Sequence, residues 1–426
     1  MDYGLDDKPG FFPMLLYGIQ WWIVSIPCVV IIGAVVSGVH YADADAQTLY
    51  VQKLFAIMGV TTVVQVLWGH RLPLVVGPSS VLLIGVMGTL SSGISAMYTA
   101  VALGGALLVL VSLCGLAGKL NRVFTPRIVA VVLILVALTL SPVILNLAIQ
   151  NTTRPLQNLF FCIGLVFVLI VANKFLRGVA KATLLLWAIL VGWGVYALLP
   201  DGALTPERAA SMTEQSASFL IPSLVFDPGV ILSFFFCFVA LAINELGSIE
   251  AVAHVLKADS LKRRTRNGVA VLGVANVASG AVGVIGSVDF SMSTGVIAAT
   301  RCASRYTLVP AGILLAVCAF LPDVIRVLVA IPSPVMGSLL LYLMASQLGS
   351  SLTMVVSEKL VRGFSSSLII AVPIMLALLV AYIPAQVFAG SLPLLRPVIG
   401  NAFVIGCLCV LVLEHVVFRN LTETDA

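Results

Sequence analysis

Apolar residues in this chain come in runs of about 17–25, the helix length that crosses a bilayer, separated by short polar or charged stretches. The pattern predicts fourteen segments, at about 13–38, 52–68, 73–90, 96–118, 126–147, 158–174, 182–199, 229–255, 268–285, 287–303, 308–321, 324–347, 365–383 and 396–418. Two of them are interrupted. The third opens Leu72-Pro73-Leu74-Val75-Val76-Gly77-Pro78-Ser79-Ser80-Val81, and the tenth opens Gly286-Ser287-Val288-Asp289-Phe290-Ser291-Met292-Ser293-Thr294-Gly295. Each starts with a few residues suited to extended backbone, breaks at Gly, Pro or Ser, and then turns helical. In a membrane protein, such a matched pair is the best sequence pointer to a midplane binding site.

The two breaks stand at equivalent offsets, about 59 residues from Pro13 to Leu72 and about 58 from Pro228 to Gly286. The longest loop, near 200–228, leaves seven segments on either side. Seven is odd, so the second set enters from the opposite face and the repeats are inverted. The predicted fold is an all-α polytopic membrane protein with 14 transmembrane segments in a 7+7 inverted repeat, segments 3 and 10 each being a short strand plus half-helix. Backbone groups left unpaired in hydrocarbon cost several kcal/mol each. Residues near 73–77 and 286–290 are therefore expected to run antiparallel and bond each other. Half-helices starting near Ser79 and Ser291 then aim free N–H groups and positive dipole ends at a shared pocket. Ser79, Ser80, Ser291 and Ser293 are natural N-caps there.

Composition agrees with lipid as the main solvent: of 426 residues, 60% are hydrophobic and 10% charged, with a mean hydropathy of +1.14. Basic residues gather in alternate loops, at Arg71; Lys119, Arg122 and Arg127; Lys174, Arg177 and Lys181; Lys257 through Arg266; Arg301 and Arg305; Lys359 and Arg362. With Lys8 and Arg419 they place both termini in the cytoplasm, leaving Lys53, Arg154, Arg208, Arg326 and Arg396 for the other side. The net charge of +5 then follows from topology and does not point to nucleic acid. The run Lys262-Arg263-Arg264 with Arg266 reads as an anchor beside anionic lipids. Met1 to Gly10 has neither a basic n-region nor a cleavage site, so the first segment is expected to be retained. The eight cysteines lie in or beside apolar segments without a Cys-x-x-Cys and read as small buried hydrophobes. No metal and no cofactor is called for.

Ionisable residues inside membrane segments are functional candidates by default. The eighth segment carries Asn244-Glu245-Leu246-Gly247-Ser248-Ile249-Glu250, and the tenth carries Asp289. Asn244 and Ser248, four apart, share a helix face with Glu245 beside it. Glu245 and Asp289 are the candidates for exchanging a proton or accepting a substrate N–H. Glu250 and His254 read as solvated or paired near the helix end. His40, His70 and His415 are likewise scattered toward segment ends. With no His-Glu-x-x-His, no catalytic Cys/His pair and no phosphate loop, the sequence argues against an enzyme.

Several short motifs coincide: Gly18-Ile19-Gln20 in segment one, Leu72-Pro73 with Gly77-Pro78-Ser79 in segment three, Gly295-Val296-Ile297-Ala298-Ala299-Thr300 with Ala303-Ser304-Arg305 in segment ten, and Ile331-Pro332-Ser333-Pro334-Val335-Met336-Gly337 in segment twelve. Together they resemble the nucleobase–ascorbate transporter family, the uracil/xanthine permeases, over nearly the full length. The resemblance implies a core domain of segments 1–4 and 8–11 (residues 1–122, 229–306 and 307–322). It implies a gate domain of segments 5–7 and 12–14 (123–200 and 323–426), with 201–228 an extracytoplasmic loop. It further implies proton- or sodium-coupled uptake of a nucleobase by elevator-like movement, in the plasma (bacterial inner) membrane and usually as a homodimer.

The chain departs from the family where the chemistry lies. Aligned on Gly247, Asn244 stands where the family has the acid of Glu-x-x-Gly, and Met292 stands where Glu or Gln precedes Gly-Val-Ile. Gln20-Trp21 replaces Gln-His, and Ser248 takes the place of a histidine found in some bacterial members. Asn244 offers an amide donor and acceptor to a planar lactam edge without charge, and Trp21 or Trp22 offers a stacking face. The expected substrate site is therefore Gln20, Trp21, Ser79, Ser80, Asn244, Glu245, Ser248, Ser291, Met292 and Ser293, holding a neutral purine- or pyrimidine-like heterocycle. Two alternatives share the architecture. One is a carrier of a small organic or inorganic anion, which helix N-termini favour and Glu245 and Asp289 oppose. The other is a non-transporting sensor.

Overall fold

The computed structural model describes residues 2–115, 124–149, 154–199, 218–290, 293–392 and 395–419. Helices α1 (Phe11–His40) and α2 (Ala44–Leu67) lead into strand β1 (Val75–Pro78), half-helix α3 (Ser80–Gly88) and α4 (Ile94–Leu113). Next come α5 (Pro126–Thr139), α6 (Ser141–Ile149), α7 (Pro155–Phe175) and α8 (Leu184–Ala197). The order helix, helix, strand, half-helix, helix then returns as α9 (Pro228–Leu256), α10 (Leu261–Val282), β2 (Ser287–Phe290), α11 (Ser293–Thr300) and α12 (Leu308–Cys318). The chain closes with α13 (Pro322–Val329), α14 (Ser333–Ser357), α15 (Phe364–Ala381) and α16 (Ala402–Val412). Among the described residues, 8 helices are long and apolar enough to cross a membrane, or 9 if Arg305–Cys318 and Pro322–Val329, bent by 88°, form one span.

Local chemistry moves several expected boundaries. Asp43 caps α2 by accepting the Ala46 N–H at 2.9 Å, so this helix begins at Ala44 and not near 52. Lys53 is consequently no loop cation. It is buried, and its ammonium donates to the carbonyls of Ser218 and Val282 at 3.0 and 2.6 Å. Arg127, expected in a cytoplasmic loop, is instead buried in the first turn of α5. There it grips both oxygens of Glu414 at 3.1–3.2 Å. The twelfth segment, expected over 324–347, is two helices. Prolines 332 and 334 stop α13 and restart the chain as α14, which runs on to Ser357. Of the cysteines, six are buried, Cys409 is half-buried, and Cys114 is exposed.

Two bodies of packing stand out. α4 lies along α10, α2 along α12, and α1 and α9 close against the same group. Separately, α14 packs on α5, α6, α7 and α8, while α15 and α16 pack on α5 and each other. Small residues set the closest crossings, as expected where lipid removes any hydrophobic drive between helices. A Cβ on Gly105 of α4 would lie 2.6 Å from the Val277 nitrogen. One on Gly59 of α2 would lie 2.5 Å from the Ala316 nitrogen.

These crossings are backbone against backbone, with no flexible side chain to yield. Gly105→Ala is expected to force α4 from α10 and cost about 1–3 kcal/mol, lowering the thermal midpoint of the detergent-purified protein by several degrees. Gly164→Ala on α7, where a Cβ meets nothing within 4 Å, is the matched control and should leave the midpoint unchanged or slightly raised.

Candidate functional site

The two interrupted segments meet. β1 and β2 pair antiparallel in the register Val75↔Phe290, Val76↔Asp289, Gly77↔Val288 and Pro78↔Ser287. The ladder continues one step, with the Ser79 N–H donating to the Gly286 carbonyl at 2.9 Å. A Cβ on Gly77 would sit 2.1 Å from the Phe290 ring, and one on Gly286 1.8 Å from Asn276 Oδ1, so either would displace that side chain. Ser79 caps α3 by accepting the Leu82 N–H. Ser293 does not cap: it is the first residue of α11, and its hydroxyl accepts the Val75 N–H at 3.0 Å while donating to the Phe290 carbonyl at 2.9 Å. It therefore stitches the second half-helix to the first strand.

α9 packs against β2 and delivers two side chains to it. Ser248 donates to the Asp289 carbonyl at 2.9 Å, and Glu245 Oε2 accepts the Asp289 N–H at 3.1 Å. A third group arrives from the turn between α2 and β1. His70 Nε2 lies 3.0 Å from Asp289 Oδ2, while its Nδ1 accepts the Leu72 N–H at 2.9 Å. Glu245, Asp289 and His70 are all fully buried. Glu245 Oε1, both Asp289 carboxyl oxygens and His70 Nε2 have no hydrogen-bond partner among the described residues, so the 3.0 Å approach of His70 to Asp289 is a close contact not yet aligned as a hydrogen bond. Arg264 of α10 reaches over the turn, donating to the carbonyls of His70 and Arg71 at 3.2 and 2.8 Å, and its guanidinium is held in turn by Asp259 at 3.3 Å.

The expected site residues divide. Ser79, Glu245, Ser248 and Ser293 converge on the strand pair, with Ser80 half-buried at the start of α3. Asn244 is half-buried and makes no hydrogen bond among the described residues, so its amide is available. Gln20 is half-buried, with its side-chain oxygen buried and unpartnered. Trp21 is 1% exposed and wedged among Leu72, Leu74, Val75 and Ile297, which leaves no open ring face; neighbouring Trp22 is half-buried. Ser291 and Met292 lie outside the described residues. His70 escaped sequence reasoning because it counted as one more histidine at a segment end. Its signal was its place two residues before Leu72-Pro73, where the chain turns back toward the break.

Residues 13–386 match the permease family of xanthine and uracil carriers. Among curated relatives, a candidate purine permease of Clostridium perfringens, CPE0397, is 24% identical, covering 99% of this chain and 94% of its own. The nucleobase transporter PlUacP of Paenibacillus larvae is 24% identical over 80% of each chain. Among solved structures, the transmembrane domain of the cyanobacterial bicarbonate transporter BicA superposes with a TM-score of 0.57 at 16% identity, covering 86% of this chain and 95% of that one.

The double role of Ser293 gives a direct test of the strand pair. Ser293→Ala removes the hydroxyl that accepts the buried Val75 N–H and bonds the Phe290 carbonyl, a loss of about 1–3 kcal/mol. The thermal midpoint should fall, whereas Ser293→Thr, which keeps the hydroxyl, should stay near the parent.

Proposed function

The chain belongs to the permease family, the nucleobase–ascorbate transporters, and is an integral membrane transport protein and not an enzyme; on that premise we propose that it carries a neutral nucleobase or a closely related heterocycle, coupled to a proton. The observation that carries the reading is the strand pair: it sets the starts of two half-helices beside the buried acid of Glu245, and Asn244, its neighbour on α9, is half-buried. Asn244 matches a lactam edge with one donor and one acceptor, and Ser80 and Gln20 complete a polar rim. Trp21 braces the rim from behind. Glu245 and Asp289 hold the coupling proton.

Fourteen segments in a 7+7 inverted repeat account for the packing. A seven-segment shift converts the contact of segment 2 with segment 11 into that of segment 9 with segment 4, and these are the α2–α12 and α4–α10 crossings. Five segments fall outside the length and hydropathy test for understandable reasons. Segments 3 and 10 are half-helices, 7 and 14 are short apolar helices, and α10 begins with four basic residues. The two packing bodies support a core of segments 1–4 and 8–11 moving against a gate of 5–7 and 12–14 in an elevator-type cycle, with the site on the core. The setting we assign is the bacterial plasma membrane, both termini cytoplasmic, as a homodimer. A small anion is disfavoured because two buried carboxyls share the space it would occupy.

In proteoliposomes, labelled uracil, xanthine or uric acid should accumulate when the outside is acidified, and dicarboxylates should not compete. Asn244→Ala should weaken nucleobase binding by at least about tenfold, read as loss of the ligand-induced thermal shift. Glu245→Gln should retain nucleobase exchange across the membrane but lose accumulation driven by a pH gradient. Unchanged binding by Asn244→Ala would defeat the assignment of the site.

A further inference from the structure

His70 is the one buried titratable group at the centre that the reading above leaves without a task. The groups facing it are Asp289 from β2, Glu245 from α9, Arg264 from α10 and, on its own turn, the exposed Arg71. Its surroundings fix both position and tautomer. The turn is closed by the Arg71 N–H on the Gln65 carbonyl at 3.1 Å, and Gln65 is anchored to the Gly268 carbonyl at 3.0 Å. Nδ1 already accepts the buried Leu72 N–H. A proton there would set one N–H against another and orphan a buried backbone donor. The Arg264 guanidinium, bonded to the carbonyl of His70 itself, adds a second objection to positive charge. The ring is therefore neutral, with its single hydrogen on Nε2, the nitrogen beside Asp289.

Glu245 Oε2 accepts the Asp289 N–H at 3.1 Å, which brings the two fully buried carboxyls into one site, and two carboxyls sharing a dry site do not both ionise. A ring N–H within reach favours the ionised partner. We infer that His70 is a fixed, uncharged donor that keeps Asp289 as the ionised member of the pair, so that Glu245 is the residue that carries the transported proton. Among the described residues, three carboxyl oxygens and His70 Nε2 lack partners here; a proton on Glu245 Oε1 directed at Asp289 Oδ1, with the His70 Nε2–H turned onto Oδ2, would satisfy all four. The inference rests on the proton-coupled reading. It makes His70 a positioning residue and not a relay, because a relay needs both ring nitrogens and one is committed.

Two variants separate these roles. His70→Asn can keep an acceptor for the Leu72 N–H but places nothing against Asp289. His70→Gln can extend an amide N–H toward Asp289 and does not titrate. In proteoliposomes, His70→Asn should move the pH of half-maximal uptake upward by about one unit or more, while His70→Gln should return it to within a few tenths of the parent value. A titrating relay would instead be disabled by both. Independently of transport, 15N spectra of the histidine-labelled wild type, with the His70 signal identified by its loss in His70→Asn, should show a neutral Nε2–H ring throughout about pH 5–8. A ring that protonates in that range overturns the inference, as does a His70→Asn profile that matches the wild type or a folded His70→Gln that behaves like His70→Asn. If the wild type neither binds nor moves any nucleobase, the transport reading fails, and the spectra still decide the state of His70.

Discussion

A strand that runs at membrane depth has only protein to receive its N–H and C=O groups, and here each of two short strands is the other's partner. That mutual dependence organises the centre of the molecule. Without β2, β1 would leave a row of buried polar groups unpaired, and the reverse holds equally. Pairing fixes the register, and the register fixes where α3 and α11 begin. It also presents the backbone of Asp289 to α9, where Glu245 takes the N–H and Ser248 bonds the carbonyl. The acids are thus held by main-chain geometry, which is harder to disturb than a contact between long side chains. The glycines at 77 and 286 belong to the same constraint, since a side chain at either would displace the Phe290 ring or the Asn276 amide packed against the strands.

The parts legible in the sequence were those governed by local rules. Hydropathy located the helices to within several residues in most cases, and the Gly-Pro-Ser and Ser-Met-Ser breaks located the strands and their antiparallel sense. Boundaries slipped where a single polar atom decides them: Asp43 capping α2 eight residues early, or two prolines dividing α13 from α14. Tertiary partners were not legible. Lys53 and Arg127 looked like loop cations because the carbonyls and the carboxylate that receive them lie more than 160 residues away. His70 and Asp289, in contact but 219 positions apart, carry no mark of each other in the chain. Ser293 could be read as a cap by type, yet its hydroxyl is claimed first by the backbone of Val75.

The glycine-lined crossings bear on how such a site can move. Where α2 meets α12 and α4 meets α10, backbone touches backbone, so sliding one helix along the other would collide rather than glide. In the elevator-type cycle proposed above, these four helices and the strand pair between them would travel as a unit. The second body, α5–α8 with α14–α16, has its own tie, the buried Arg127–Glu414 pair that also binds Thr125 and the Leu360 carbonyl. Two internally tied bodies are consistent with the proposed cycle, in which motion would be confined to the seam between them.

The charge balance of the centre then narrows what it can hold. Two half-helix N-termini bring partial positive charge toward one point, which alone would select an anion. A buried carboxylate beside them offsets that preference, and a second carboxyl bearing a proton adds no further charge. A site so balanced gains nothing from a net charge on its ligand and must recognise it by hydrogen-bond pattern. In the site proposed above, the half-buried amide of Asn244 on α9 would supply such a pattern, one donor beside one acceptor. Proton release from Glu245 would leave two anions in the same dry space, a state that substrate alone cannot neutralise. On the proposed reading, water would have to reach the pair before the proton leaves, which would link deprotonation to an open site.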